Sequence, residues 1–282
     1  MTPARHLWTL FEPLHAVTYF TPEGRGAFEA AGYRGFWRGY FAGRSSPLGL
    51  APASVTTALY ANFAWPMVER AIPAIWDLAP PETALEARLS GSVAALGRLL
   101  DGLPGVEEAA ELLREAASSA PTHGRALGAA NAALPWPEEP LGELWQAATV
   151  LRELRGDGHV VGQVAVGLSG LETMVLRCGH DMTRDALQPH RGWEDHEWET
   201  AGDGLQERGL LASDRRITQA GLDTLARVEE ITDHLAQEPW DALGPEGTAR
   251  FVELATPLAQ AARTALPEVT PLGLPPIGEA GV

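Results

Sequence analysis

The chain has 282 residues, with 37 acidic residues against 21 cations, all arginine, for a net charge of −16. The lack of lysine excludes a Schiff-base lysine, a phosphate-loop lysine and a lysine general base. A single cysteine, Cys178, excludes an intramolecular disulfide framework and a thiolate metal cluster within one chain. No stretch offers the roughly 20 apolar residues that cross a bilayer, and Met1-Thr2-Pro3-Ala4-Arg5-His6 does not lead into a signal peptide, so the expectation is a soluble, acidic, cytoplasmic protein without a membrane partner.

Helical periodicity dominates. Thr21-Pro22-Glu23 is an N-cap followed by proline at the first helical position, and Gly32 is the matching stop. Phe36, Tyr40 and Arg44 recur at helical spacing and end in a Gly-Arg-Ser-Ser-Pro-Leu-Gly loop. Helices are expected from Pro52 to Phe63 and from Pro66 to Leu78, the second interrupted at Pro73. From Pro81 to Leu100 the residues Leu85, Leu89, Val93, Leu96, Leu99 and Leu100 form an amphipathic stripe, and Val106 to Ser119 repeats the pattern with acids at its start. Three prolines in Pro135–Pro140 mark a boundary. Beyond it, Leu141–Leu154 and Val160–Cys178 read as two helices separated by a Gly-Asp-Gly turn.

Gly192 to Val228 has the order helix, short strand, turn, strand, helix. Trp193–Arg208 is the first helix, Asp214-Arg215 the turn, and Gln219–Gln237 the closing helix; Gly247–Leu266 is one more, and an extended tail follows from Pro267. Leu168-Ser169-Gly170-Leu171-Glu172-Thr173-Met174-Val175-Leu176, Leu205-Gln206-Glu207-Arg208-Gly209-Leu210-Leu211 and Ile217-Thr218-Gln219-Ala220-Gly221 resemble the MarR-like winged helix-turn-helix pattern over about residues 141–238. The whole chain is also similar to actinobacterial proteins described as helix-turn-helix-like, through Gly39–Gly49, Arg155-Gly156-Asp157-Gly158-His159 and Thr232–Ala236. The resemblance implies a mainly α protein with a MarR-like winged-helix segment and one small β-hairpin wing. The expected segments are a helical domain at 1–138, a winged-helix domain at 139–240 and a C-terminal helix and tail at 241–282. It also implies a homodimer through the 219–237 and 247–266 helices.

The helix in the recognition position carries Glu194, Asp195, Glu197, Glu199, Asp203 and Glu207 against Arg208 alone. Phosphates would repel it, since nonspecific DNA affinity comes from Lys and Arg displacing counterions. The leading expectation is therefore a winged-helix-derived protein that does not bind DNA directly. It would instead hold a small molecule between its two helical halves, on Tyr40, Arg44, Tyr60, Asn62, Arg152, Arg155, Asp157 and His159. Guanidinium forks, hydroxyls and an imidazole suit an anionic or carbonyl-bearing ligand. The structural alternative for Asp157 is a helix cap, with its flanking glycines in a turn.

Two alternatives stand beside it. A ligand-responsive MarR-type regulator would meet DNA with Arg184, Arg191, Arg215 and Arg216, which flank the acidic helix. An enzyme would use His159 with Asp157 as a general acid-base pair. His180, Asp181, His190, Asp195 and His196 lack a His-x-x-x-His spacing, so neither a metal nor a cofactor is expected. Trp193, Trp198 and Trp240 are expected to be buried anchors.

Overall fold

A computed structural model describes residues 2–267 and residue 274. Among them are thirteen α-helices: α1 (Pro3–Phe20), α2 (Pro22–Ala30), α3 (Phe36–Ser45), α4 (Ala53–Leu59), α5 (Trp65–Ala71), α6 (Pro81–Leu99), α7 (Val106–Ser118), α8 (Ala126–Ala132), α9 (Pro140–Ala165), α10 (Gly170–Cys178), α11 (Arg184–Leu187), α12 (Asp195–Glu207) and α13 (Gln219–Arg263). Short 3-10 turns lie at Ser46–Leu48, Ala74–Asp77 and Gln188–His190. The chain forms two units, one of residues 1–50, 74–157 and 233–282, the other of residues 51–73 and 158–232. They interleave along the chain, whereas the segments expected from sequence are consecutive. No single described helix is long and apolar enough to cross a membrane.

In the first unit α1 starts at Thr2, whose hydroxyl accepts the Arg5 amide, with Pro3 at the first helical position. Its middle is buried on every side: Leu7, Leu10, Phe11, Leu14 and Val17 enter the apolar core, while Glu12, His15 and Thr18 are buried as well. Thr21 caps α2 through the Gly24 amide, as its sequence suggests. α2 and α6 approach very closely, because a Cβ on Gly91 would lie 2.9 Å from the Gly24 Cα. Trp145 of α9 and Phe251, Leu258 and Ala262 of α13 complete the core. Burying a large apolar side chain contributes roughly 1.5–3 kcal/mol, which is why these positions dictate the packing.

Two expectations about helix continuity are corrected. α9 runs without a turn through Gly156-Asp157-Gly158 and breaks only at 166–169. Glycine inside a helix costs about 1 kcal/mol relative to alanine, and burial of Leu151, Leu154, Arg155 and Asp157 outweighs it. The last two expected helices are joined in α13 across a kink at Gly244, whose φ of 79° leaves the helical region. The tail from Pro267 lies outside the described residues apart from Pro267 and Leu274.

In the second unit α10 begins with a capping box: the Glu172 amide donates to Ser169 Oγ, and the Ser169 amide donates to Glu172 Oε2. Gly170 at its first turn abuts the Ala61 carbonyl, leaving no room for a Cβ. Leu171, Val175, Leu176, Trp198, Leu205, Leu210 and Val228 form this unit's core. The expected β-hairpin wing is reduced among the described residues to one antiparallel bridge, Leu211 to Ile217. The Ala212 amide donates to the Arg216 carbonyl at 2.8 Å, and the turn closes on Arg215 at φ 67°. The Thr218 amide also donates to the Leu210 carbonyl at 3.1 Å, so the pairing spans three residues on each side, short of the usual strand length of about 5–6.

Candidate functional site

α12 is amphipathic. Trp198, Gly202 and Leu205 are buried at helical spacing, while Asp195, Glu199 and Asp203 form an outward stripe four residues apart. That stripe holds two of the arginines that would have to meet DNA. Arg184 pairs with Asp195 at 2.8 Å and Glu199 at 2.5 Å and lies over the Trp198 ring, while Arg215 pairs with Asp203 at 2.5 Å and Glu199 at 3.3 Å. Gly202 explains how Arg215 reaches so far: a side chain there would occupy the place of its guanidinium. Arg208, at the helix end, pairs with Glu172 at 2.8 Å. Arg191 lies over the Phe63 ring, with its guanidinium 4.9 Å from the ring centre. Arg216 is exposed on the turn.

A second polar cluster lies inside the first unit. Arg44 of α3 grips Glu153 of α9 with both arms, Nε to Oε1 and Nη2 to Oε2, each at 3.1 Å, and its Nη1 donates to Tyr40 Oη at 3.1 Å. Arg152 contacts Glu153 at 2.8 Å and Glu12 at 3.5 Å, and Glu12 also accepts the Trp8 indole N–H at 3.0 Å. Arg88 of α6 donates to the Gly43 carbonyl and to Asn131 Oδ1 and lies over the Trp145 ring. Burial alone would raise the Glu153 pKa, but Arg152 and Arg44 overcome it and hold the carboxyl at about 2.

His15 sits in the same cluster. Burial foremost, with the Arg152 charge, pushes its pKa well below the ordinary imidazole value, so it is neutral at pH 7. The Thr149 hydroxyl donates to the Trp145 carbonyl, so His15 Nδ1 is the donor to Thr149 Oγ1 at 2.9 Å. Nε2 is then left to accept from Tyr19 Oη at 3.2 Å. Burial raises the Tyr19 pKa, which keeps that proton in place. His15, Tyr19, Arg44, Arg88, Trp145 and Glu153 line a small cleft between the helices, with room for about one water molecule.

The sequence profile of the helix-turn-helix family matches residues 4–270. The chain belongs to that helix-turn-helix family. Searches of curated proteins and of solved structures gave no match.

The residues singled out by sequence fall into both units. Tyr40, Arg44 and Arg152 converge on Glu153 in the first, a residue that sequence reasoning did not name. Arg155 in the same unit pairs with Asp233 at 2.7 Å and lies over the Trp8 ring. Asp157 is a cap, but for α8 rather than its own helix: its Oδ2 accepts the Gly128 amide at 2.9 Å. Burial raises its pKa to about 6 against that hydrogen bond. Tyr60, Asn62 and His159 belong to the second unit. Asn62 offers its carbonyl to the Trp193 indole at 2.9 Å, Tyr60 is buried beside Phe63, and His159 Nδ1 lies 3.2 Å from Thr232 Oγ1 and 3.6 Å from Glu229. Trp198 and Trp240 are buried, and Trp193 is half-buried. Of the metal candidates, Asp181 is held by Arg177 and Asp195 by Arg184. Glu12, His15, Tyr19 and Arg88 were missed; the one local signal was an acid and a histidine among the large apolar residues in the middle of α1.

Proposed function

We propose that this helix-turn-helix protein, of winged-helix, MarR-like ancestry, does not hold DNA with α12 and instead binds a small molecule at the polar cluster of its first unit. The observation that carries the reading is the use of α12's own carboxylates. Asp195, Glu199 and Asp203 neutralise Arg184 and Arg215, so a phosphate approaching α12 meets acids at the surface and arginines already engaged. Support for a ligand comes from the clustering of buried charges and a neutral histidine, His15, Arg44, Arg88 and Glu153, around one small cleft. Fluorescence anisotropy with sheared genomic duplex at moderate salt tests the first half, with no binding expected at micromolar protein. Native mass spectrometry of freshly purified protein tests the second, by the mass of a co-purified small molecule.

A ligand-responsive transcription regulator is the second reading, favoured by the exposed Arg216 and by the family itself. It requires a genomic fragment to be enriched by the protein and that enrichment to be lost on Arg215→Ala with Arg216→Ala. Dimerisation through 219–237 and 247–266 fits either reading. The second helix would have to pair through another face, since Phe251, Ala255, Leu258, Ala259 and Ala262 are buried in the chain's own core.

A further inference from the structure

We propose that Arg215 is an autoinhibitory latch, which holds the turn at 212–217 shut against α12 and keeps its cations from a phosphate backbone that an open turn would meet. The proposal rests on the reading that α12 does not hold DNA. It names the contact that stops the neighbouring arginines from offsetting the acids of that helix.

The turn is seated by space as much as by bonds. On one side, a Cβ on Gly179 at the end of α10 would lie 2.7 Å from the Arg215 carbonyl oxygen. On the other, a Cβ on Gly202 in the middle of α12 would fall on Arg215 Nη1. Neither glycine has a positive φ, so what each provides is room. Over the gap at Gly202 the guanidinium donates from Nη2 to Asp203 at 2.5 Å and to Glu199 at 3.3 Å. Its Nη1 is buried with no acceptor among the described residues. Gln206 Nε2 donates to the Ala212 carbonyl at 2.7 Å and ties the base of the turn to the same helix.

The latch is poised rather than locked. Arg215 is the one non-glycine residue with a positive φ among the described residues, at 67°, and left-handed backbone is disfavoured for any residue that carries a Cβ. The carboxylates that hold it are open to water, Glu199 at 54% and Asp203 at 66% exposure, and such pairs contribute little. A disfavoured backbone held by weak pairs places the closed and open turns close in free energy, so that a partner preferring one state shifts the balance. Arg216 on the same turn is already exposed. The closed turn therefore offers Arg216 to a polyanion and the open turn offers Arg215 as well, each displacing counterions from phosphate.

Gly202→Ala tests the latch without altering any charge. Its methyl takes the seat of the guanidinium while alanine favours the helix, so the circular dichroism spectrum of the full chain should be unchanged. Phenylglyoxal, which modifies accessible guanidinium groups, should react with Arg215 at least threefold faster than in the parent, with Arg216 as the internal reference. In fluorescence anisotropy at low ionic strength, the variant should bind sheared genomic duplex at least fivefold more tightly than the parent. Adding Arg215→Ala should abolish that gain. Arg215→Gly is the second arm, since glycine adopts a φ of 67° without strain. The amides of Ala212 and Ile217 donate to the Arg216 and Gly179 carbonyls in the closed turn, and their hydrogen exchange should rise at least threefold. Unchanged exchange there, or equal reaction of Arg215 in Gly202→Ala and the parent, overturns the latch and leaves the reading of α12 in place. A freed Arg215 with no gain in duplex binding overturns the inhibition. Duplex binding by the parent equal to that of Gly202→Ala overturns the proposal and the reading of α12 together.

Discussion

The molecule holds two arginine–carboxylate clusters that look alike on paper and differ in everything that decides their worth. In the first unit Arg44 and Glu153 are 11% and 2% exposed at their side chains; in the second, Arg215 and Asp203 are 37% and 66% exposed. Buried ion pairs carry a desolvation penalty that their attraction must offset, and removing one partner leaves the other charge stranded. Exposed pairs gain little and lose little, because water and salt screen them. Similar hydrogen bonds thus mean structural commitment in one place and, in the other, only a change in the field that an approaching phosphate sees.

The sharpest way to break this comparison is Glu153→Ala. It strands Arg44 and Arg152 in the interior, and the expected loss of stability is about 3–5 kcal/mol, read as a shifted midpoint in urea unfolding. A loss under about 1 kcal/mol would mean that the inner cluster is as well hydrated as the outer one. Acid should mimic the mutation. The Glu153 pKa is about 2 in the folded chain against an ordinary 4.5 for a glutamate in water, so the pair's stability is fully present above pH 4.5 and is lost as pH falls toward 2. That difference corresponds to about 3 kcal/mol.

One turn further along α9, Asp157 should respond in the opposite sense. Its pKa of about 6 lies above its ordinary 3.8, because burial there meets a backbone amide and no guanidinium at salt-bridge distance. A raised carboxyl pKa means that the folded state binds the extra proton, so this contribution to stability is present below pH 3.8 and declines as pH rises to about 6. Asp157→Asn keeps an oxygen for the Gly128 amide and removes the charge. It is expected to stabilise the protein by about 1–3 kcal/mol at pH 7 and to flatten the pH 4–6 limb of the stability curve. Destabilisation at pH 7 would show that the ionised form is the one the α8 terminus requires.

The contrast also shows which features were legible in sequence. Thr21-Pro22, the stripe of α6 and the span of α12 were readable because caps and helical periodicity are local. The acidic stripe and Arg215 lie 12 residues apart at their closest pair and both stand out in the sequence, although only the fold shows them touching. Arg44 and Glu153 lie 109 residues apart, and Arg88 meets Asn131 across 43. No periodicity joins such positions, so Arg44 and Arg152 could be suspected while the carboxylate that organises them could not. Gly156-Asp157-Gly158 misled for the converse reason: its local turn preference was overridden by burial.

The smallest expected effect on stability is also the most telling for function. Glu199→Gln with Asp203→Asn leaves the fold nearly as stable as before, with a change under about 1 kcal/mol, because the pairs it weakens are exposed. It does change the face of α12, removing two negative charges and easing Arg184 and Arg215 from their partners. If the carboxylates of α12 are what keep phosphate away, the double variant should acquire duplex binding that the parent lacks, weakening with added salt. The log–log salt slope would approach about −2 if each released arginine displaces one counterion. Binding by the parent that the variant leaves unaltered would place any DNA contact elsewhere than α12 and return the exposed Arg216 to the centre of the question.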